Sequence, residues 1–352
     1  MKSRRLPRPS SARGRTADPA WTRLDDESLL DLRFSDLHLQ IDGTQLGPLV
    51  ERLYDELARR RLELQPHCWL SEEWFSPDGV PGIAIPFYLA HSRLIELEDR
   101  MMLEVEGGTP AGCLRILRHE AGHALDTAFR LHRRRDWQRV FGKASKPYPD
   151  YYRPRPASRR YVLHLNSWYA QSHPSEDFAE TFAVWLTDND WRRDYAGWPA
   201  RRKLEFVDGL MTEIAACKPP VRSRRRIEPL SENRKTLRVH YEEKHARFTP
   251  GHGEAYDRGL RRLFSETPGR SAQETAADFL KRNRAELRRV VSDMSGEHEY
   301  TVDQVLQDMM LRCRQLRLYR HLGQRKSEEE AAALLALQTK NYLENGQHRF
   351  AL

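Results

Sequence analysis

The stretch Arg118-His119-Glu120-Ala121-Gly122-His123 constrains this chain more than any other. It lies in a run whose apolar residues, from Cys113 and Leu114 through Ala124, Leu125, Ala128 and Leu131, keep one face turned inward. Thr109 precedes the run as an N-cap, with Pro110 at the first helical position. The pattern predicts a helix from there to about Leu131, closed by Arg133-Arg134-Arg135, whose charge suits a C-terminal dipole. On that helix His119 and His123 stand one turn apart on one face, so both imidazoles can reach a single metal ion. Glu120, beside them, can take a proton from a water bound to that ion.

An open catalytic site of this kind needs a third protein ligand. In one common extension of the motif, Gly and His fall at 126 and 129, but this chain has Asp126 and Phe129 there. No glutamate follows Glu120 until Glu176. Glu176 opens a second helix, predicted from His173-Pro174 through Leu186, and Glu180 lies one turn later on the same face. Glu176 is therefore the expected ligand and Glu180 the expected buttress to the free ring N–H of a ligand histidine. The competing reading makes both surface carboxylates. Asp126 either orients an imidazole or caps or pairs with a nearby arginine. Tyr169, seven residues before Glu176, either stabilises a developing oxyanion or only packs. His132, His164 and His173 read as loop or surface histidines, with a ligand role as the alternative for each.

Around these helices the chain reads as α+β. Alternation over 31–41 predicts a strand, and apolar spacing over 47–61 a helix. Leu62–Leu64 and Cys68–Leu70 suggest another strand. The run 83–89 is a short strand that Pro86 pushes to a sheet edge. Residues 92–105 fit helix or strand. Proline, tyrosine and arginine make 142–163 an extended loop, and a further helix covers 199–217. The sequence divides into an expected disordered basic tail (1–20), a body carrying the candidate site (21–217), a Pro- and Arg-rich linker (218–229) and a helical region (230–352). In the last of these, helices are expected near 253–264, 272–293, 301–320 and 327–344.

Composition limits the function classes. No run approaches the roughly 18 apolar residues of a membrane span. The first twenty residues lack the apolar stretch of a secretory signal. Four scattered cysteines form no C-x-x-C pair, so the expectation is a cytoplasmic chain with reduced thiols and no membrane partner. The net charge of +8 and arginine runs at 133–135, 153–160 and 222–226 leave nucleic acid open as a partner, without a reader motif.

With these residues in view, the chain resembles the zincin metallopeptidases of the glutamate-ligand class. His119 through Asp126, Tyr169 and Glu176 through Glu180 are similar to the peptidase domain of anthrax lethal factor. A longer stretch, Gly82 through Trp198, resembles bacterial proteins described as zinc-binding metallopeptidases. The resemblance implies a zincin-like fold and one zinc ion held by His119, His123 and Glu176. It also implies Glu120 as general base and Tyr169 as oxyanion donor. The substrate would be a peptide or protein, with acidic stretches suggested by the loop arginines. It would lie along the 83–89 strand by β-augmentation, under a loop carrying Tyr148, Tyr151, Tyr152, Arg153 and Arg155. Two other readings stay open: a non-catalytic, zinc-stabilised interaction protein, and a peptidase acting on nucleic-acid-bound proteins.

Overall fold

The structure is a computed structural model describing residues 19–344 apart from 103–104, 150–151, 153–154, 156–157, 188–189, 249–252, 269–273, 296 and 298. Most of the basic tail, and Tyr151 and Arg153 of the aromatic loop, lie outside the described residues. The elements run α1 (Asp26–Leu30), α2 (Leu46–Arg59), β1 (His67–Ser71), β2 (Gly82–Pro86), α3 (Ser92–Met102), α4 (Pro110–Phe129), α5 (Arg135–Phe141), α6 (Pro174–Leu186), α7 (Trp191–Asp194), α8 (Arg201–Ile214) and α9 (Leu237–Phe248). After them come α10 (Gly253–Leu263), α11 (Ala276–Arg282), α12 (Arg284–Ser295), α13 (Glu299–Gln315) and α14 (Gln324–Glu344). The fold is mixed but mainly helical. The sheet among the described residues is a parallel pair, β1 with β2, with His67 opposite Gly82. No described helix is long and apolar enough to cross a membrane.

Helix α4 starts where its caps dictate. Thr109 Oγ1 accepts the Gly112 N–H at 3.1 Å, and Pro110 follows. The helix stops at Arg130, which is left-handed with φ 55°. A short 3-10 turn leads into α5, so the arginine run bridges two helices rather than closing one. Leu117, Ala121, Ala124 and Leu125 of α4 are fully buried, and burying each leucine contributes about 2 kcal/mol. The small residues let α6 approach closely. A Cβ on Gly122 would stand 2.9 Å from Ala179 Cα and 3.2 Å from Phe182 Cδ1.

Several expectations are corrected. The predicted strand at 31–41 is instead the turn that follows α1 and a 3-10 turn over Phe34–Leu37. Leu30, Phe34 and Leu37 are buried at helical spacing, and this outweighs the apparent alternation. The 83–89 run is strand only through Pro86, after which Phe87–Ala90 turn as 3-10 helix. Nor is β2 a free edge. β1 takes one side, and on the other Ala84 exchanges backbone hydrogen bonds with Phe75, at 2.8 and 3.5 Å. Substrate augmentation along 83–89 therefore lacks open partners at Ala84. Residues 92–102 are helix, and the helix expected over 272–293 is two, meeting at Asn283.

The segment 218–229 is a strap along β1. Val221 N–H donates to Ala128 O at 3.1 Å. His67 Nε2, Trp69 Nε1 and Ser71 Oγ donate to the carbonyls of Arg225, Ile227 and Glu228 at 2.8, 2.9 and 2.8 Å. The first apolar core extends beyond the strap to Leu230, Leu237 and Tyr241. A second core, from Tyr256 to Leu335, belongs to α10–α14. The cores thus divide after α9 rather than at 218–229. Helix α9 is tied down by two polar pairs: Lys244 to buried Glu98 at 2.8 Å and buried His240 Nδ1 to Glu72 at 2.7 Å.

Candidate metal centre

Helices α4 and α6 bring His119, His123 and Glu176 to one point. His119 Nε2 lies 3.0 Å from Glu176 Oε2, His123 Nε2 lies 3.1 Å from the same oxygen, and the two ring nitrogens are 3.1 Å apart. All three side chains offer a donor atom to a common centre. Donors bound at 2.0–2.1 Å to one tetrahedral ion stand about 3.3 Å from each other, close to the spacing found here. His119 and Glu176 are buried, and His123 is partly exposed.

The surroundings fix the donors. Glu180 Oε1 lies 2.8 Å from His119 Nδ1, and its Oε2 accepts the Leu165 N–H at 2.9 Å. The Nδ1 proton faces Glu180, so the Nε2 lone pair points at the cluster. Burial opposes a charge on His119 and His123, but the carboxylates outweigh it and hold both rings above the ordinary histidine range. Burial likewise opposes charge on Glu176, and the two imidazoles outweigh it, holding its carboxyl well below the usual range. The cluster is thus organised around a buried anion that demands positive charge beside it. A divalent cation held by two neutral imidazoles and one carboxylate satisfies that demand.

Glu120 Oε2 is buried with no hydrogen-bond partner among the described residues, while the Glu120 backbone carbonyl accepts from Ser76 Oγ at 3.1 Å. A carboxylate oxygen left without a donor next to a cluster of this chemistry is suited to receive a proton from a bound molecule. Tyr169 sits on the 3-10 turn Asn166–Gln171, its ring 5.5 Å from that of His119. Burial and then the charges of Glu176 and Glu120 push its hydroxyl well above the ordinary phenol range, so it remains a donor. Upstream, Arg118 grips buried Glu56 through two bonds of 2.7 Å, anchoring α4 to α2.

Asp126 goes elsewhere. Its carboxylate accepts from the His132 backbone N–H at 2.6 Å and lies 3.2 Å from His132 Nδ1, so it closes the end of α4 instead of orienting His119 or His123. His164 Nε2 donates to the Arg115 carbonyl at 2.9 Å. His173 is buried as the N-cap of α6 rather than lying at the surface.

One residue escaped the sequence reading as a member of the site. Tyr148 donates its hydroxyl to Glu176 Oε1 at 2.7 Å. No spacing rule links positions 148 and 176; the rigid Pro147-Tyr148-Pro149 frame was the available signal that the ring is fixed.

No curated protein and no solved structure matches this chain. Residues 112–197, which contain His119, Glu120, His123, Tyr148, Tyr169, Glu176 and Glu180, match the family described as "Putative zinc-binding metallo-peptidase".

Proposed function

We propose that the chain is a zinc-dependent metallopeptidase of the glutamate-ligand, zincin-like class. The observation that carries this reading is the convergence of His119 Nε2, His123 Nε2 and Glu176 Oε2 at 3.0–3.1 Å, with the unpartnered Glu120 Oε2 adjoining. These three residues hold the ion. When bound, zinc supplies Lewis acidity towards a peptide carbonyl and lowers the pKa of a water.

The remaining work falls to side chains. Glu120 accepts the proton of the attacking water at Oε2 and returns it to the leaving amine nitrogen. Tyr169 donates its hydroxyl proton's hydrogen bond to the carbonyl oxygen of the scissile bond as negative charge grows there. Glu180 keeps His119 in the tautomer whose Nε2 faces the cluster. A structural role for the ion fits the site less well, since such sites are usually closed by four protein ligands, and among the described residues three make up this group.

The test combines metal content with turnover. Wild type is expected to carry one zinc per chain and to cleave peptides in a proteome-derived library. Glu120→Gln is expected to retain the zinc and lose cleavage by at least about 100-fold. Glu176→Ala is expected to lose both. Undiminished turnover in Glu120→Gln would remove the general base and the mechanism with it.

A further inference from the structure

We infer that Tyr148 is a positioning residue that holds Glu176 to single-oxygen coordination and so keeps a corner of the site free for the reacting molecule. The inference rests on the metallopeptidase reading above. Glu176 turns Oε2 toward the imidazoles, while Oε1 accepts the Tyr148 hydroxyl at 2.7 Å. A glutamate free at both oxygens can chelate, filling two positions. One whose second oxygen is already hydrogen-bonded is biased toward donating once.

Tyr148 is held by the same residue that starts the helix bearing Glu176. Its ring stacks on His173, with centroids 3.9 Å apart and planes 21° from parallel. His173 Nδ1 accepts the Ser175 N–H at 3.2 Å, and a backbone N–H can only donate. Nδ1 is therefore unprotonated, and Nε2 carries the proton that goes to the Lys146 carbonyl at 2.9 Å. One neutral histidine thus caps α6, pins the chain two residues before Tyr148 and supplies the surface on which the tyrosine ring lies. Tyr148 is 48% exposed, placing it at the rim of the site.

The two tyrosines are thereby separated in role. Tyr148 is committed to Glu176, whereas Tyr169 makes no side-chain hydrogen bond among the described residues and is free to meet substrate.

Cobalt(II) substitution reports coordination number directly, because five-coordinate cobalt absorbs more weakly in the visible d–d bands than four-coordinate cobalt. Cobalt(II)-loaded full-length wild type, Tyr148→Phe and Tyr169→Phe are compared, with melting of the metal-free proteins as a control for folding. Phenylalanine preserves the stacked ring on His173. Tyr148→Phe is expected to bind one cobalt with clearly weakened d–d absorption. On zinc, its kcat should fall about tenfold at little-changed KM. Tyr169→Phe is expected to leave the spectrum as in wild type. Cobalt bound by wild type and Tyr148→Phe with one and the same spectrum overturns the assignment while leaving the metal site standing. Wild type that binds no cobalt overturns the metal reading and the assignment together.

Discussion

Gly122 and Ala179 set the separation of the two helices that carry His119, His123 and Glu176: a Cβ on Gly122 would come within 2.9 Å of Ala179 Cα and 3.2 Å of Ala179 O. Both obstacles are backbone, which cannot rotate away. Gly122→Ala must therefore push α6 outward, at a cost of about 1–3 kcal/mol. Because His119 and His123 lie on one side of this contact and Glu176 on the other, zinc affinity is expected to fall at least tenfold. Chelator competition together with thermal melting checks both parts.

Glu180 should matter through its charge as well as its shape. In Glu180→Gln one of the two acceptor oxygens facing the His119 Nδ1–H and the Leu165 N–H becomes an NH2 donor, so one of these bonds is lost, and the imidazole loses its anionic partner. A drop of about 10–100-fold in zinc affinity or activity is expected. Retention of both at wild-type levels would show that Glu180 only fills space.

Glu56 is nearly fully buried and satisfied by the Arg118 fork. Glu56→Ala strands a guanidinium next to His119 and is expected to destabilise the fold by about 3–5 kcal/mol. Urea titration of the metal-free protein measures this independently of zinc.

Glu72 supplies a pH test. Burial opposes its charge, but His240 and Lys235 outweigh burial and bring its carboxyl down to about 2, from 4.5. A depressed carboxyl stabilises the fold above its unfolded value and loses that contribution as pH falls through the folded one. With Glu72 side-chain exposure at 26%, screening reduces the effect to about 2 kcal/mol. Glu72→Gln should be less stable than wild type by that amount at pH 7. The gap should narrow below pH 4.5 and close near pH 2. Parallel melting curves across that range decide it.

How much the sequence revealed depended on whether the deciding interaction was local. Helix α4 was legible because Thr109, Pro110 and the apolar periodicity act within a few residues. The pairing of Glu176 with His119 and His123 was legible because ligand chemistry restricts the residue types and the chain between them offers no other glutamate. The region around Phe34 was misread because period-two and helical spacings coincide over so short a stretch, and packing of Phe34 against Phe87 and His240 decided between them. Nor could the pattern show that Phe75 folds back onto Ala84, or that Asp126 prefers His132, since both follow from turn geometry. Tyr148 was assigned to a covering loop, but its bond to Glu176 depends on where His173 holds that loop.

The strap from Val221 to Glu228 bears on how the protein can be cut for study. A recombinant fragment stopped at the Pro- and Arg-rich stretch would forfeit the carbonyls received by His67, Trp69 and Ser71 and strip Leu230, Leu237 and Tyr241 from the first core. Soluble truncations that keep the metal centre should instead terminate beyond α9, where the chain passes from one apolar nucleus to the next.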